Sequence, residues 1–156
     1  MSLEQRLFPG RMDPGLLDIA RRYATAEWPF PVRFDPAQRW YARLAAAEDH
    51  EAWLLSWLPG QQTDLHDHGG CAGAFTVVSG SLVEETPAGG RLRPAVLAAG
   101  SGRSFGPRHV HRVGNRGAEP AVSVHVYRPA LRRMTRYTLD GARLRRVEVA
   151  EAGVAW

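Results

Sequence analysis

Lysine is missing altogether from this 156-residue chain; all 20 basic residues are arginine. Arginine stays protonated far above neutrality, so its exclusive use lifts the isoelectric point to about 10.0 without concentrating charge. The densest cluster, Arg128, Arg132, Arg133, Arg136, Arg143, Arg145 and Arg146, reads as the solvated face of C-terminal strands. No nucleic-acid-binding motif accompanies it, so nucleic acid is not an expected partner. Cysteine occurs once, at Cys71, which excludes an internal disulfide and fits a reducing compartment. No stretch approaches the roughly 18 apolar residues of a membrane span, and the N-terminus lacks a signal-peptide pattern. The expectation is therefore a cytoplasmic monomer with no membrane partner. Repeats, linkers and low-complexity tracts are also missing, and the length suits one domain over residues 1–156.

What is present divides into a short helical start and a long β-rich remainder. Asp13-Pro14 reads as an N-cap followed by proline at the first helical position. Leu16, Leu17, Ile19, Ala20 and Tyr23 continue with helical apolar spacing, so a helical segment is expected over about residues 13–28, until Pro29 and Pro31 stop it. Asp35-Pro36 could open a second helix through Ala47, although the Trp40-Tyr41 pair also suits a strand. Beyond Glu51, short apolar runs alternate with glycine and proline. Strands are expected at 53–58, 74–78, 82–85, 92–97, 103–105, 109–113, 121–127, 135–139 and 143–149, with Ser79-Gly80-Ser81 as a hairpin turn. Many short strands with close turns mean an all-β sandwich or barrel, here over about residues 38–149.

His66-Asp67-His68 carries the chemistry. Two histidines separated by one residue share a strand face, because side chains alternate with period two. A third histidine from a distant strand can complete a triangle of imidazole nitrogens around one metal ion. Imidazole suits zinc, copper, iron and nickel, and three ligands leave positions open. His109 and His111 both lie on a suitable strand face.

The wording around these residues resembles the two signature motifs of the cupin superfamily, small jelly-roll β-barrels with a central metal. Gly80 follows His68 at the motif's interval, and the second block ends His111-Arg112-Val113-Gly114-Asn115. Most metal-binding cupins place a glutamate a few residues after the second histidine. Here Gly69 to Ala74 contains no carboxylate. Three neutral imidazoles leave a ferrous ion with about +2 residual charge, which favours an anionic ligand such as a thiolate. Among cupins, the three-histidine form resembles cysteine dioxygenase. Pro120 to Pro129 follows that family's Ser-x-His-x-Tyr strand, and Arg39-Trp40-Tyr41-Ala42-Arg43 resembles its pocket-facing strand. The likeness spans roughly residues 33–140.

That resemblance implies a cupin-type barrel with Arg39 to Leu44 as a strand rather than a helix. It implies Fe(II) held by His66, His68 and His111, with Arg-Val-x-Asn favouring His111 over His109. Arg43 would hold the substrate carboxylate, bidentately as guanidinium allows, with Tyr41 assisting. Ser123 would orient His125, and His125 would position the Tyr127 hydroxyl to donate to oxygen as charge develops. Animal members crosslink a cysteine to the active-site tyrosine. That position is Gly73 here, so no thioether is expected, and Cys71 reads as a small packed residue. The implied reaction is oxidation of L-cysteine by O2 to cysteine sulfinic acid. Relatives acting on 3-mercaptopropionate usually carry glutamine at the position of Arg43. Further alternatives are another small thiol, a non-catalytic cupin sensing a small anion, and, more weakly, a zinc hydrolase.

Overall fold

A computed structural model describes Leu3 and residues 15–151. Helix α1 (Leu16–Ala24) precedes strands β1 (Trp40–Ala46), β2 (Glu51–Trp57), β3 (Leu65–His66), β4 (Ala72–Ser79), β5 (Ser81–Ala88) and β6 (Arg91–Ala98). Then follow β7 (Gly102–Phe105), β8 (Arg112–Gly114), β9 (Ala121–Arg128), β10 (Arg133–Asp140) and β11 (Arg143–Glu151). A five-stranded sheet runs β1-β2-β9-β4-β7, and two three-stranded sheets run β11-β10-β3 and β6-β5-β8. All pairings are antiparallel. This is the all-β, cupin-type jelly-roll barrel with a short N-terminal helix that the sequence led us to expect. The expected cap at Asp13 and Pro14 lies outside the described residues.

Period-two alternation sorts the five-stranded sheet into two apolar faces. Leu55, Trp57, Phe75, Val77, Ala121 and Tyr127 face the barrel interior. Ala52, Leu54, Ala74, Val122, Val124 and Val126 face outward and pack under Ile19, Ala20 and Tyr23 of α1. Burial of each such large apolar side chain stabilises the fold by about 1.5–3 kcal/mol. Because the helix covers the outer face, β2 and β9 bury apolar residues on that side too, and in β9 the polar Ser123 and His125 fall on the inward side. That same cover overrides the helix propensity of the alanines in residues 42–47: Trp40, Leu44 and Ala45 join the helix-side cluster from a strand.

One expectation is corrected. Ser79-Gly80-Ser81 is not a hairpin turn, since β4 pairs with β7 and β9 whereas β5 pairs with β6 and β8. The segment is a corner where the chain passes between sheets. Gly80 has φ +71°, and a Cβ there would lie 2.4 Å from the Pro120 carbonyl oxygen. Only glycine accepts both constraints.

Among the described residues, no helix is long and apolar enough to cross a membrane.

Candidate metal centre

His66 and His111 sit directly opposite each other and exchange both backbone hydrogen bonds, at 2.9 and 3.0 Å. Such a pair fixes two side chains beside one another far more firmly than sequence spacing can. His68 lies just past the end of β3 and is held by its neighbour. Asp67 Oδ1 accepts the backbone N–H of Gly69 and of Thr135, and Oδ2 accepts the Tyr137 hydroxyl at 2.8 Å. The aspartate between the histidines thus pins their loop to β10. Asn115 pins the other block, donating through Nδ2 to the carbonyls of Trp57 and Glu119.

Each of the three histidines has a potential ligand nitrogen within 4.8 Å of the other two, and all three side chains are buried. Two tautomers follow from the hydrogen bonds. His66 Nδ1 contacts the Asp64 carbonyl at 2.8 Å, and His111 Nδ1 contacts the Glu84 carboxylate at 2.8 Å. A carbonyl and an ionised carboxylate only accept, so both Nδ1 atoms carry the proton and both Nε2 atoms present lone pairs. His68 Nε2 lies 3.1 Å from His111 Nε2, and His68 Nδ1 is buried without a partner. Burial drives His66 and His68 well below the ordinary histidine value, and it lowers His111 despite the opposing bond from Glu84. The rings are therefore neutral. Converging neutral lone pairs repel unless a cation lies among them, and nitrogens 3.1 Å apart can both reach one ion about 2.1 Å away. The donor set fits a divalent metal.

His109, the rival on sequence grounds, precedes β8 in a loop and spends its Nε2 on Glu84 at 3.2 Å. The same carboxylate revises the expectation of a surrounding without negative charge. None follows His68 locally, yet Glu84 arrives from β5 and lies one imidazole away from the centre. Burial pushes its carboxyl up, but hydrogen bonds from His109 and His111 and the positive Arg103 outweigh this and hold it at about 2.

A cavity opens beside the histidines, lined by Arg39, Trp57, Asp64, His66, His111, His125, Tyr127 and Arg136 among others. Its wall is β9, where Ser123, His125 and Tyr127 face inward as the alternation requires. The Trp57 indole donates to Ser123 Oγ at 2.9 Å, and the same oxygen is hydrogen-bonded to His125 Nε2, also at 2.9 Å. Phe75 stacks on His125 at 5.0 Å between centroids, and Tyr127 stacks on His68 at 5.6 Å. Burial, with the Glu51 carboxylate adding to it, pushes the Tyr127 hydroxyl pKa up, so the phenol stays protonated.

The two residues expected to hold a substrate carboxylate do not line this cavity. Arg43 is exposed and does not line the cavity. Tyr41 packs at the edge of the interior cluster against Trp53, also away from the cavity lining. Arg39, two residues before Tyr41 and just ahead of β1, lines it instead. Its guanidinium carbon lies 5.4 Å from the Trp57 ring centroid, and Nη1 is buried without a hydrogen-bond partner. Residues 39, 41 and 43 alternate identically, so periodicity gave no basis for choosing between the arginines. Trp57, Asp67 and Glu84 were missed as site residues. For Glu84 a signal existed: an acidic residue at the inward phase set by Leu82.

The family model for cysteine dioxygenase type I matches residues 16–140. Among solved structures, a protein from Thermus thermophilus is similar at 25% identity and TM-score 0.57, covering 64% of this chain and 90% of its own. A conserved protein with a double-stranded β-helix domain from Klebsiella pneumoniae subsp. pneumoniae shares 24% identity at TM-score 0.57, with 75% and 90% covered. An oxalate oxidase in complex with the substrate analogue glycolate shares 20% at TM-score 0.52, with 60% and 52% covered. The last two show the fold alone. With the family match spanning most of its length and three buried histidines at the barrel centre, the chain belongs to the cysteine dioxygenase type I family of dioxygenase-type cupin enzymes.

Proposed function

We propose that the protein oxidises a small carboxylate-bearing thiol, L-cysteine first among them, to the sulfinic acid with O2, using Fe(II) held by His66, His68 and His111. Bound there, ferrous iron supplies open positions at which a thiolate and O2 meet, turning their encounter into an intramolecular step. The chain's own residues do the rest. Arg39 takes the substrate carboxylate, with its unpartnered Nη1 as donor and the Trp57 face as platform. The protonated Tyr127 hydroxyl donates to oxygen as negative charge develops during transfer to sulfur. The Trp57–Ser123–His125 chain holds the imidazole in one orientation beside it. Leu55, Val113 and Met134 supply apolar wall and limit water. We further infer that the chain works as a single domain in the cytoplasm.

The observation that carries this reading is the buried, unpaired guanidinium nitrogen in the same cavity as three converging imidazole lone pairs. A cation site and an anion site side by side suit a thiol acid. 3-Mercaptopropionate, which lacks the amine, is the second reading, because the exposed Arg43 gives no argument for cysteine over it. Glu84 does not line the cavity and is occupied by two histidines and an arginine, which disfavours it as the free general base of a hydrolase.

The test is to load the protein anaerobically with Fe(II), add L-cysteine or 3-mercaptopropionate with air, and follow O2 uptake and product mass. Stoichiometric O2 uptake with a product heavier than the thiol by one O2 supports the reading. Thiol-independent or absent O2 uptake points to a non-catalytic cupin and sinks it.

A further inference from the structure

Glu84 stands apart from the other carboxylates of the site. Its side chain has no exposure, and three cationic or N–H-bearing groups, one from β7 and two from the stretch leading into β8, converge on it. Oε2 accepts His111 Nδ1–H at 2.8 Å and contacts His109 Nε2 at 3.2 Å. Oε1 lies 2.6 Å from Arg103 Nε, but the N–H is not aligned along that contact, so this is charge pairing rather than a hydrogen bond. Burying a carboxylate costs several kcal/mol unless it is well compensated. Neutralisation by Arg103 alone would not explain why the shorter of the two aligned bonds goes to His111.

A carboxylate behind a metal-binding imidazole does two things. It fixes the tautomer and ring orientation, and its charge raises the donor strength of the opposite nitrogen. Here it also brings one negative charge close to an otherwise neutral ligand set. Arg103 sits on the far oxygen with its side chain 42% exposed, where it offsets part of that charge. His109 holds the same oxygen as His111 and stacks on Phe105 at 4.9 Å, which in turn stacks on His68 at 4.5 Å.

We propose that Glu84 is a positioning residue for the metal, acting through His111, and that Arg103 sets how much of its charge the metal feels. This rests on the reading that His66, His68 and His111 hold the cation. Removing the anion then weakens cation binding and disfavours the oxidised ion, whereas removing the arginine does the reverse to the potential.

The experiment compares wild type, Glu84→Gln and Arg103→Met. Cobalt(II) affinity is read by chelator competition, and the Fe(III)/Fe(II) midpoint potential is read on the iron-loaded chain. Glu84→Gln keeps an amide oxygen for His111 but loses the charge. It is expected to bind cobalt about 10–100-fold more weakly and to show a more positive potential. Arg103→Met is expected to show a more negative one. A purely structural role predicts no opposition of sign. Equal affinity in Glu84→Gln and wild type, unchanged potentials, or shifts of both variants in one direction overturns the proposal. Should Glu84→Gln fail to fold, Arg103→Met decides alone: a lower potential supports the role and an unchanged one removes it. Failure of the wild type to bind cobalt or iron would overturn the metal site itself, and this proposal with it; normal binding without variant effects sinks only the proposal.

Discussion

Arg39 and Trp57 are stacked, the guanidinium carbon 5.4 Å from the indole centroid, and the N–H of that indole donates to Ser123. One tryptophan thus carries the arginine whose Nη1 is buried without a hydrogen-bond partner and orders the serine–histidine pair on the cavity wall.

This stacking separates the two arginines of β1 and its approach. A hydrogen bond to a charged group contributes about 1.5–3 kcal/mol, so Arg39→Gln should raise KM for a carboxylate thiol about 10–100-fold. Arg43→Gln, at an exposed position, should stay within about threefold of wild type. Steady-state O2 uptake on both variants measures this, and the reverse ranking would return the anion site to Arg43.

His125 makes the fold sensitive to acid. Burial, aided by the neighbouring His111 and the Arg39 guanidinium, lowers its pKa to about 3, against about 6.5 in an unfolded chain. Between those values the unfolded chain binds a proton there that the folded chain refuses. Stability therefore falls as pH drops below 6.5, by about 1.4 kcal/mol per pH unit from this group, and is unaffected above it. His125→Asn should flatten the pH dependence of urea unfolding between pH 6.5 and 5 by that slope. Parallel curves would show that the folded imidazole takes up the proton after all.

Gly73 leaves no room for a side chain. A Cβ there would lie 2.5 Å from the Phe105 ring and 2.9 Å from the Val126 carbonyl oxygen. Phe105 cannot retreat freely, because it stacks on His68 at 4.5 Å. Gly73→Ala should destabilise the protein by about 1–3 kcal/mol in urea unfolding. Adding Phe105→Leu should recover part of that loss, since the two sites share one volume. Equal stability of Gly73→Ala and wild type would mean that β4 and β7 move apart easily. Phe105 fills the space that a crosslinking cysteine at this position would need.

Much of this site was legible in the chain alone. His66, His68 and His111 are named by spacing and wording, and period-two alternation places Ser123, His125 and Tyr127 on one face. Period two is a local property, which is why it served. It also explains the failures. Arg39, Tyr41 and Arg43 share a phase, so only the position of β1 against β2 tells which arginine meets the cavity. Gly80 signals a turn by its φ, yet whether the next strand folds back or crosses to another sheet depends on partners far along the chain.

The sequence by itself determined the element type of most segments, the choice of three candidate histidines and the absence of a carboxylate in the stretch that follows the second. Only the tertiary structure decided that Glu84 stands behind His111, that His109 serves this carboxylate, and that Arg39 enters the cavity. Charge acts through space, and residues 27 positions apart in the chain, such as Glu84 and His111, become neighbours only when the barrel closes.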